Sequence, residues 1–332
     1  MPRVTLARHA MATRFEIVLQ GDNPVALRAA GEEALDEIDR LEAQLSLFRP
    51  GSEIARLNGL ASRESVRVTP ALFSLLEHAA RLNEESQGAF DITVAPLVRC
   101  WGFMAGDGRM PTPEDLSEAR AKVGMNLVRL NRSDFTVRFA REGVMLDLGA
   151  IGKGYAIERA AELLREAGVT SALLHGGTST VYALGPSPDG ERWQVSIESP
   201  EDRPDKPLTA MPAGLNDPES GAQRRPFAVV ALRDEALSVS AIWGKFFQVG
   251  GKTLGHILDP RTGQPATRGV LAAIALPSAT ETDALSTALL TLGPEGHGQI
   301  SQLRPSIRTL VVAEEDASLR VESQGITASW GR

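Results

Sequence analysis

Hydrophobic residues recur along this chain in two rhythms. Residues 11–20, MATRFEIVLQ, alternate closely enough for a strand. Asn23 and Pro24 then have the residue types of a helix N-cap and first helical position, because an Asn side chain can accept from free amides and proline has no N–H to leave unpaired. Leu35, Ile38, Leu41 and Leu45 follow at three- and four-residue steps, which predicts an amphipathic helix over about 24–46. Leu72, Leu75, Leu76 and Leu82 predict another over about 70–86. Residues 136–139 and 144–148 read as a strand pair around a turn at Arg141-Glu142-Gly143. Gly152-Lys153-Gly154 opens a helix that carries Ala156, Ala160, Leu163 and Leu164 and is closed by Gly168. Short strands are expected at 171–174, 193–197, 227–232 and 309–312, and a helix at about 283–291. Strands and helices interleave without the even βαβ spacing of a doubly wound fold, so the expectation is an α+β fold, a mixed or antiparallel sheet with packed helices. Residues 199–225 are dense in Pro, Asp, Glu and Gly and carry almost no periodic apolar signal, as in a surface loop or insertion.

Composition narrows the class. The chain has 332 residues, 42% hydrophobic and 23% charged, enough apolar material for the large core of an ordinary globular enzyme. A formal net charge of -7 disfavours nucleic acid as a partner, since phosphate-backbone binding needs clustered Lys and Arg. A small phosphorylated ligand remains compatible, because a metal ion and helix N-terminal amides can meet its charge locally. Cys100 is the sole cysteine, which rules out an intramolecular disulfide and a Cys-rich zinc site; it reads as a small buried apolar residue. The N-terminal residues contain no apolar stretch of the signal-peptide kind, and no run of about 20 apolar residues follows. No membrane insertion is expected. The expected location is cytoplasmic for the sequence as given, or periplasmic if a signal segment has been removed.

Three segments concentrate unusual chemistry. In LDLGAIGKGYAIERA, 146–160, glycines at 149, 152 and 154 let backbone approach a ligand and leave amides free at a helix start, which suits phosphate. The spacing is neither Walker A nor the dinucleotide fingerprint, and Asp147 could equally serve only its own turn. In GHILDPRTGQP, 255–265, His256 precedes an Asp-Pro turn that would fix its direction; a histidine there can also be merely packed. In TDALSTALLTLG, 282–293, Asp283 and Thr287 are four apart and share a helix face. Such hard oxygens suit magnesium, although Asp283 could instead be a helix N-terminal acid. His9, His78, His175 and His297 carry no catalytic pattern and read as structural or solvated.

Taken in order, these segments together with MATRF, LSLFRPGSEIARLN, GAFDITVAPLVRCWGF and HGGTSTVYALG resemble the ApbE family of FAD:protein FMN transferases, from about Met11 to about Gly293. The resemblance implies a T-fold-like ApbE-type α+β architecture, one domain over 1–332. It also implies FAD as substrate, Mg2+ on the FAD pyrophosphate, and transfer of FMN to a Ser or Thr hydroxyl of an acceptor protein with release of AMP. Carried over residue by residue, Met11, Phe48, Ala89, Phe90, Asp91, Asp147 and Lys153 are the expected flavin-nucleotide contacts. Asp283, Thr287 and the Ala150 carbonyl are the expected metal ligands, and His256 is the expected catalytic residue. The chain departs from the family pattern at Phe48, where tyrosine is common, at Glu158, where aspartate is more usual, and at Val239-Ser240-Ala241, where Thr-Ser-Gly is usual; HGGTSTVYALG lacks the acid common after its two glycines, and 199–225 is longer than the family core needs. Two other readings use the same residues: a magnesium-dependent FAD pyrophosphatase giving FMN and AMP, and a non-catalytic FAD-binding protein.

Overall fold

A two-stranded hairpin opens the chain: β1 (Arg3–Ala10) pairs antiparallel with β2 (Thr13–Gln20), with Ala10 opposite Thr13. The computed structural model describes residues 2–104, 106, 108–200, 226–243, 246–249, 252–315 and 318–329. The strand expected at 11–20 therefore begins at Thr13, and residues 3–10 supply a partner that the pattern did not announce. Arg8 interrupts the apolar alternation of β1, its guanidinium drawn to Glu32, Asp36 and Asp39 instead. Met11 and Ala12 form the two-residue turn at φ +50° and +58°. Such a turn needs positive φ at both positions and normally recruits Gly or Asn, so two ordinary L-residues here hold a strained backbone.

Helix α1 (Pro24–Leu45) starts where expected, with the Asn23 side chain accepting from the amides of Val25 and Ala26. It buries Leu35, Ile38, Leu41 and Leu45. There follow α2 (Glu53–Leu60), β3 (Val66–Arg67), α3 (Pro70–Glu85), α4 (Ala95–Cys100), α5 (Pro113–Arg120), β4 (Val128–Asn131) and β5 (Thr136–Phe139). Strands β3, β5 and β4 make a small antiparallel sheet. The expected pairing of 136–139 with 144–148 does not form, and the hairpin turns at 132–135 instead. Residues 144–148 satisfy their backbone elsewhere. The Asn58 amide both accepts from the Leu146 N–H at 2.8 Å and donates to its carbonyl at 2.9 Å, and the Asp147 N–H donates to Ile92 O at 2.7 Å. Cys100 is half-buried at the end of α4 rather than fully enclosed, and burial, helped by nearby Asp115, pushes its thiol up.

The rest of the chain supplies α6 (Gly152–Glu166), β6 (Ser171–Gly176), β7 (Thr180–Leu184), β8 (Trp193–Ile197), β9 (Ala228–Leu232), β10 (Glu235–Ala241), β11 (Phe246–Val249), β12 (Lys252–Gly255), β13 (Leu271–Leu276), α7 (Ala279–Leu292), α8 (His297–Ile300), β14 (Arg308–Glu315) and β15 (Ser318–Gln324). The main sheet has eight strands in the order β1-β2-β6-β7-β10-β13-β14-β15, with every neighbour antiparallel. The fold is α+β, as expected. The loop expected at 199–225 lies outside the described residues from 201 onward. Among the described residues no helix is long and apolar enough to cross a membrane.

Two layers enclose the sheet. On one face Ala236, Ala272, Ile274 and Val311 pack with α1, α3, α6 and α7; on the other Leu237, Ala273, Ala275 and Val312 pack with Ile197, Val230 and Leu232 of the β8–β9 hairpin. Strand β13 is buried at every position, as strands covered on both faces are, so its run LAAIAL lacks the alternation that marks a half-exposed strand. Helix α7 is buried along all but Thr287.

Candidate functional site

The sheet register collects the distinctive segments at one end. Phe15 stands opposite Gly176, Thr180 opposite Ser238, and Ala241 opposite Leu271. The Met11–Ala12 turn, the 177–179 turn and the exit of β10 therefore lie along a common edge. Helix α6 runs away from that edge before β6 returns to it, so its glycine-rich start lies there too.

Helix α7 begins four residues earlier than its periodicity suggested. Ser278 is the N-cap, its hydroxyl accepting from the Glu281 N–H, and Glu281 is the acid of the first turn. Asp283 lies two residues further in, beyond the first turn, and is buried, so a helix N-terminal acid does not describe it. Its Oδ2 accepts from the Gly154 N–H at 2.9 Å, and its Oδ1 is 3.6 Å from the Lys153 ammonium. Lys153 also donates to Gly149 O at 3.1 Å. The two helices can come this close because residue 154 has no side chain. A Cβ there would meet Ala279 O at 2.1 Å and Asp283 Cβ at 2.7 Å. Thr287 follows one turn later, its hydroxyl 3.3 Å from Asp283 O and 3.3 Å from Ser240 Oγ. The structure thus brings Asp283, Thr287, Lys153 and the turn holding Ala150 to one place. Asp147 holds that turn from within, its Oδ1 accepting from the Gly149 N–H at 2.8 Å.

The other expected contacts are distributed differently. Ala89 and Phe90 are buried in the core, and their backbone is largely spent within the fold: the Ala89 N–H donates to Ser86 O, the Phe90 N–H to Ser86 Oγ, and Phe90 O accepts from the Asn83 side chain. Asp91 is also buried, and Oδ1 accepts from both the N–H and the hydroxyl of Thr93, at 2.7 and 2.6 Å. Burial pushes its carboxyl up, and the Thr93 hydrogen bonds oppose this only in part. Phe48 lies at the other extreme, 71% exposed, an uncovered aromatic face. It sits on a turn held by Ser46 Oγ, which accepts from the Phe48 N–H, and by the Ser52 hydroxyl, which donates to Ser46 O. Met11 is half-buried at the strained hairpin turn.

His256 follows β12, half-buried. Its neighbour Gly255 backs onto the Ile242 carbonyl, which a Cβ would approach to 2.6 Å. Ile242 is two residues beyond Ser240, so the histidine segment enters along the strand that touches Thr287. The turn after it is braced. Asp259 grips the Arg261 guanidinium at 2.9 and 2.8 Å, Trp101 Nε1 donates to Gly263 O at 2.8 Å, and Arg120 donates to Arg261 O at 2.7 Å.

Several contributors escaped the sequence reading. Glu158 accepts from the Ser278 hydroxyl and the Thr280 N–H, both at 2.8 Å, so the departure at this position fastens α6 to the start of α7. Ser240, in the Val239-Ser240-Ala241 departure, meets Ser286 at 2.8 Å. Their only sequence signal is hydroxyl residues two apart on a strand and four apart on a helix. His78 bonds Glu281 at 3.0 Å and His297 bonds Thr309 at 2.7 Å, in keeping with structural roles.

Asp283 and Thr287 offer oxygen donors to a cation. Among the described residues no group of three or more His, Cys, Asp or Glu is placed to hold a metal. One buried carboxylate, one hydroxyl and nearby carbonyls are hard oxygens in small number, the set magnesium uses when phosphates and water complete its octahedron.

The sequence model described as the ApbE family matches residues 11–311. The chain is 31% identical to the FAD:protein FMN transferase of Treponema pallidum, over 92% of this chain and 83% of that protein. It is similar to the crystal structure of the ApbE protein of Thermotoga maritima, with a TM-score of 0.81 and 26% identity over 98% of this chain and 97% of the other. The flavinyl transferase ApbE of Pseudomonas stutzeri matches with a TM-score of 0.80 and 28% identity, over 98% and 95%.

Proposed function

The chain belongs to the ApbE family and is a transferase, and from that premise we propose that it takes FAD as donor, works with magnesium, and attaches FMN to a Ser or Thr hydroxyl of an acceptor protein while releasing AMP. The observation that carries this reading is the meeting of Asp283 and Thr287 with Lys153 and the 149–154 turn. That arrangement sets hard oxygens and an ammonium around one point, which suits a metal-bound pyrophosphate.

The chemistry needs in-line placement and charge balance more than covalent help from the enzyme. The acceptor oxygen bonds to the FMN-side phosphorus, the bridging P–O bond breaks, and AMP leaves with that bond's electrons. The hydroxyl proton passes to His256. Lys153 holds the pyrophosphate oxygens, while Phe48 offers its exposed face to an aromatic ring. Magnesium held by Asp283, Thr287 and the Ala150 carbonyl would offset charge on the phosphoryl oxygens.

The test is incubation with FAD and Mg2+, with and without a candidate acceptor, following AMP release and protein-bound flavin fluorescence. Acceptor-dependent AMP with stoichiometric bound flavin supports transfer. AMP that appears equally without acceptor makes the protein a pyrophosphatase, and FAD binding with no AMP makes it a non-catalytic flavin binder.

A further inference from the structure

Strand β10 and helix α7 are joined by hydroxyls in matched steps. Ser238 meets Thr282 at 2.8 Å, and Ser240 meets Ser286 at 2.8 Å and Thr287 at 3.3 Å. Two strand residues advance about 6.6 Å and four helix residues about 6 Å, so a two-residue step on β10 stays level with a turn of α7. All of these side chains except Thr287 and Ser240 are fully buried, and a buried hydroxyl needs a partner.

The proton directions around Ser240 can be worked out from the acceptors. The Ser286 hydroxyl donates to Asp283 O at 3.1 Å, which leaves its oxygen to accept from Ser240. The Ser240 proton is then committed to Ser286, and the Ser240 oxygen is the acceptor that remains for the Thr287 proton. The competing acceptor, Asp283 O at 3.3 Å, has its two lone pairs engaged by the Ser286 hydroxyl and, one helical turn on, by the Thr287 N–H. A neutral hydroxyl can offer a lone pair to a cation only if its proton points elsewhere.

We infer that Ser240 is a positioning residue that accepts the Thr287 proton and so turns the Thr287 lone pair toward the cation. This rests on the proposed magnesium site at Asp283 and Thr287. It also gives the Val239-Ser240-Ala241 segment a reason to keep a serine at its centre while its neighbours vary.

The experiment reads cation binding directly. Mn2+ is titrated into protein holding FAD without acceptor, and free Mn2+ is followed by its electron paramagnetic resonance signal. Ser240→Ala should weaken binding about tenfold, the lower end of the range for residues that orient a metal ligand, and Ser240→Thr, which keeps the hydroxyl, should restore most of it. Ser238→Ala removes the equivalent rung one step away without touching Thr287. It should lower the melting temperature about as much as Ser240→Ala yet leave Mn2+ affinity within twofold. Equal loss of affinity in the two alanine variants would make the hydroxyls a general helix fastening and overturn the inference, as would Ser240→Ala binding like the wild type. If Asp283→Ala also binds Mn2+ like the wild type, the cation site itself has been misplaced, a distinct failure.

Discussion

The Gly154 backbone N–H lies 2.9 Å from the Asp283 carboxylate, across the junction of the two helices that carry the glycine turn and the oxygen donors. Because the added Cβ of alanine would overlap the Ala279 carbonyl, and backbone cannot swing away as a side chain can, Gly154→Ala must separate α6 from α7. The cost should be about 1–3 kcal/mol, typical of overpacking. A melt should show the loss of stability, and AMP release at limiting Mg2+ should fall further than stability alone explains.

Asp283 has two duties that two variants can separate. Asp283→Ala leaves the Gly154 N–H without its buried acceptor and Lys153 without its anion, so stability should drop by about 1–3 kcal/mol. Asp283→Asn keeps an acceptor for Gly154 and should recover most of that, while remaining without magnesium-dependent AMP release because the anionic oxygen is gone. Denaturant titration and AMP release on both variants check this; full activity in Asp283→Asn would show that the charge is not used.

His256→Ala should bind FAD as the wild type does but transfer FMN about 10² to 10⁴ times more slowly, the usual range for a lost general base. Calorimetric FAD binding beside the single-turnover transfer rate checks this. If binding is lost in parallel with activity, His256 holds the nucleotide instead.

Glu281 anchors the start of α7 through His78, Arg81 and Arg304, the last shared with Glu85. Burial alone would push its carboxyl up, but hydrogen bonds from His78 and Arg304 outweigh it and hold the value at about 2, against 4.5 ordinarily. Folding therefore favours the ionised form. The stabilisation is complete above the unfolded value of 4.5 and drains as pH falls toward about 2. Glu281→Gln should be less stable than the wild type at pH 7, and the gap between their unfolding midpoints should close as pH is lowered through that window. A gap that stays constant from pH 7 to pH 3 would mean the carboxylate charge contributes nothing.

Helices with one apolar stripe were plain in the sequence. The Asn23-Pro24 start and the leucine spacing of α1 and α3 placed both to within a residue, because local capping and a half-exposed surface both leave their mark on residue type. The family motifs singled out Asp283, Thr287, Lys153 and His256 as candidates, and the structure brings the first three together. Elements covered on all sides were not legible in the same way. LAAIAL of β13 is buried on both faces and α7 nearly all round, so neither shows a polar side to set its period or its ends. Residues 144–148 look like a strand, but Asn58, 88 positions away from Leu146, takes the backbone bonds a strand would have made. The same holds at the site. The sequence could nominate the Asp283 carboxylate and the 149–154 turn, but not that Gly154 docks on Asp283, that Glu158 fastens the start of α7, or that Ser240 reaches Thr287. Those contacts span 47 to 129 positions of chain, and only the packing of α6 and α7 on the sheet, where each polar group must find a buried partner, decides them.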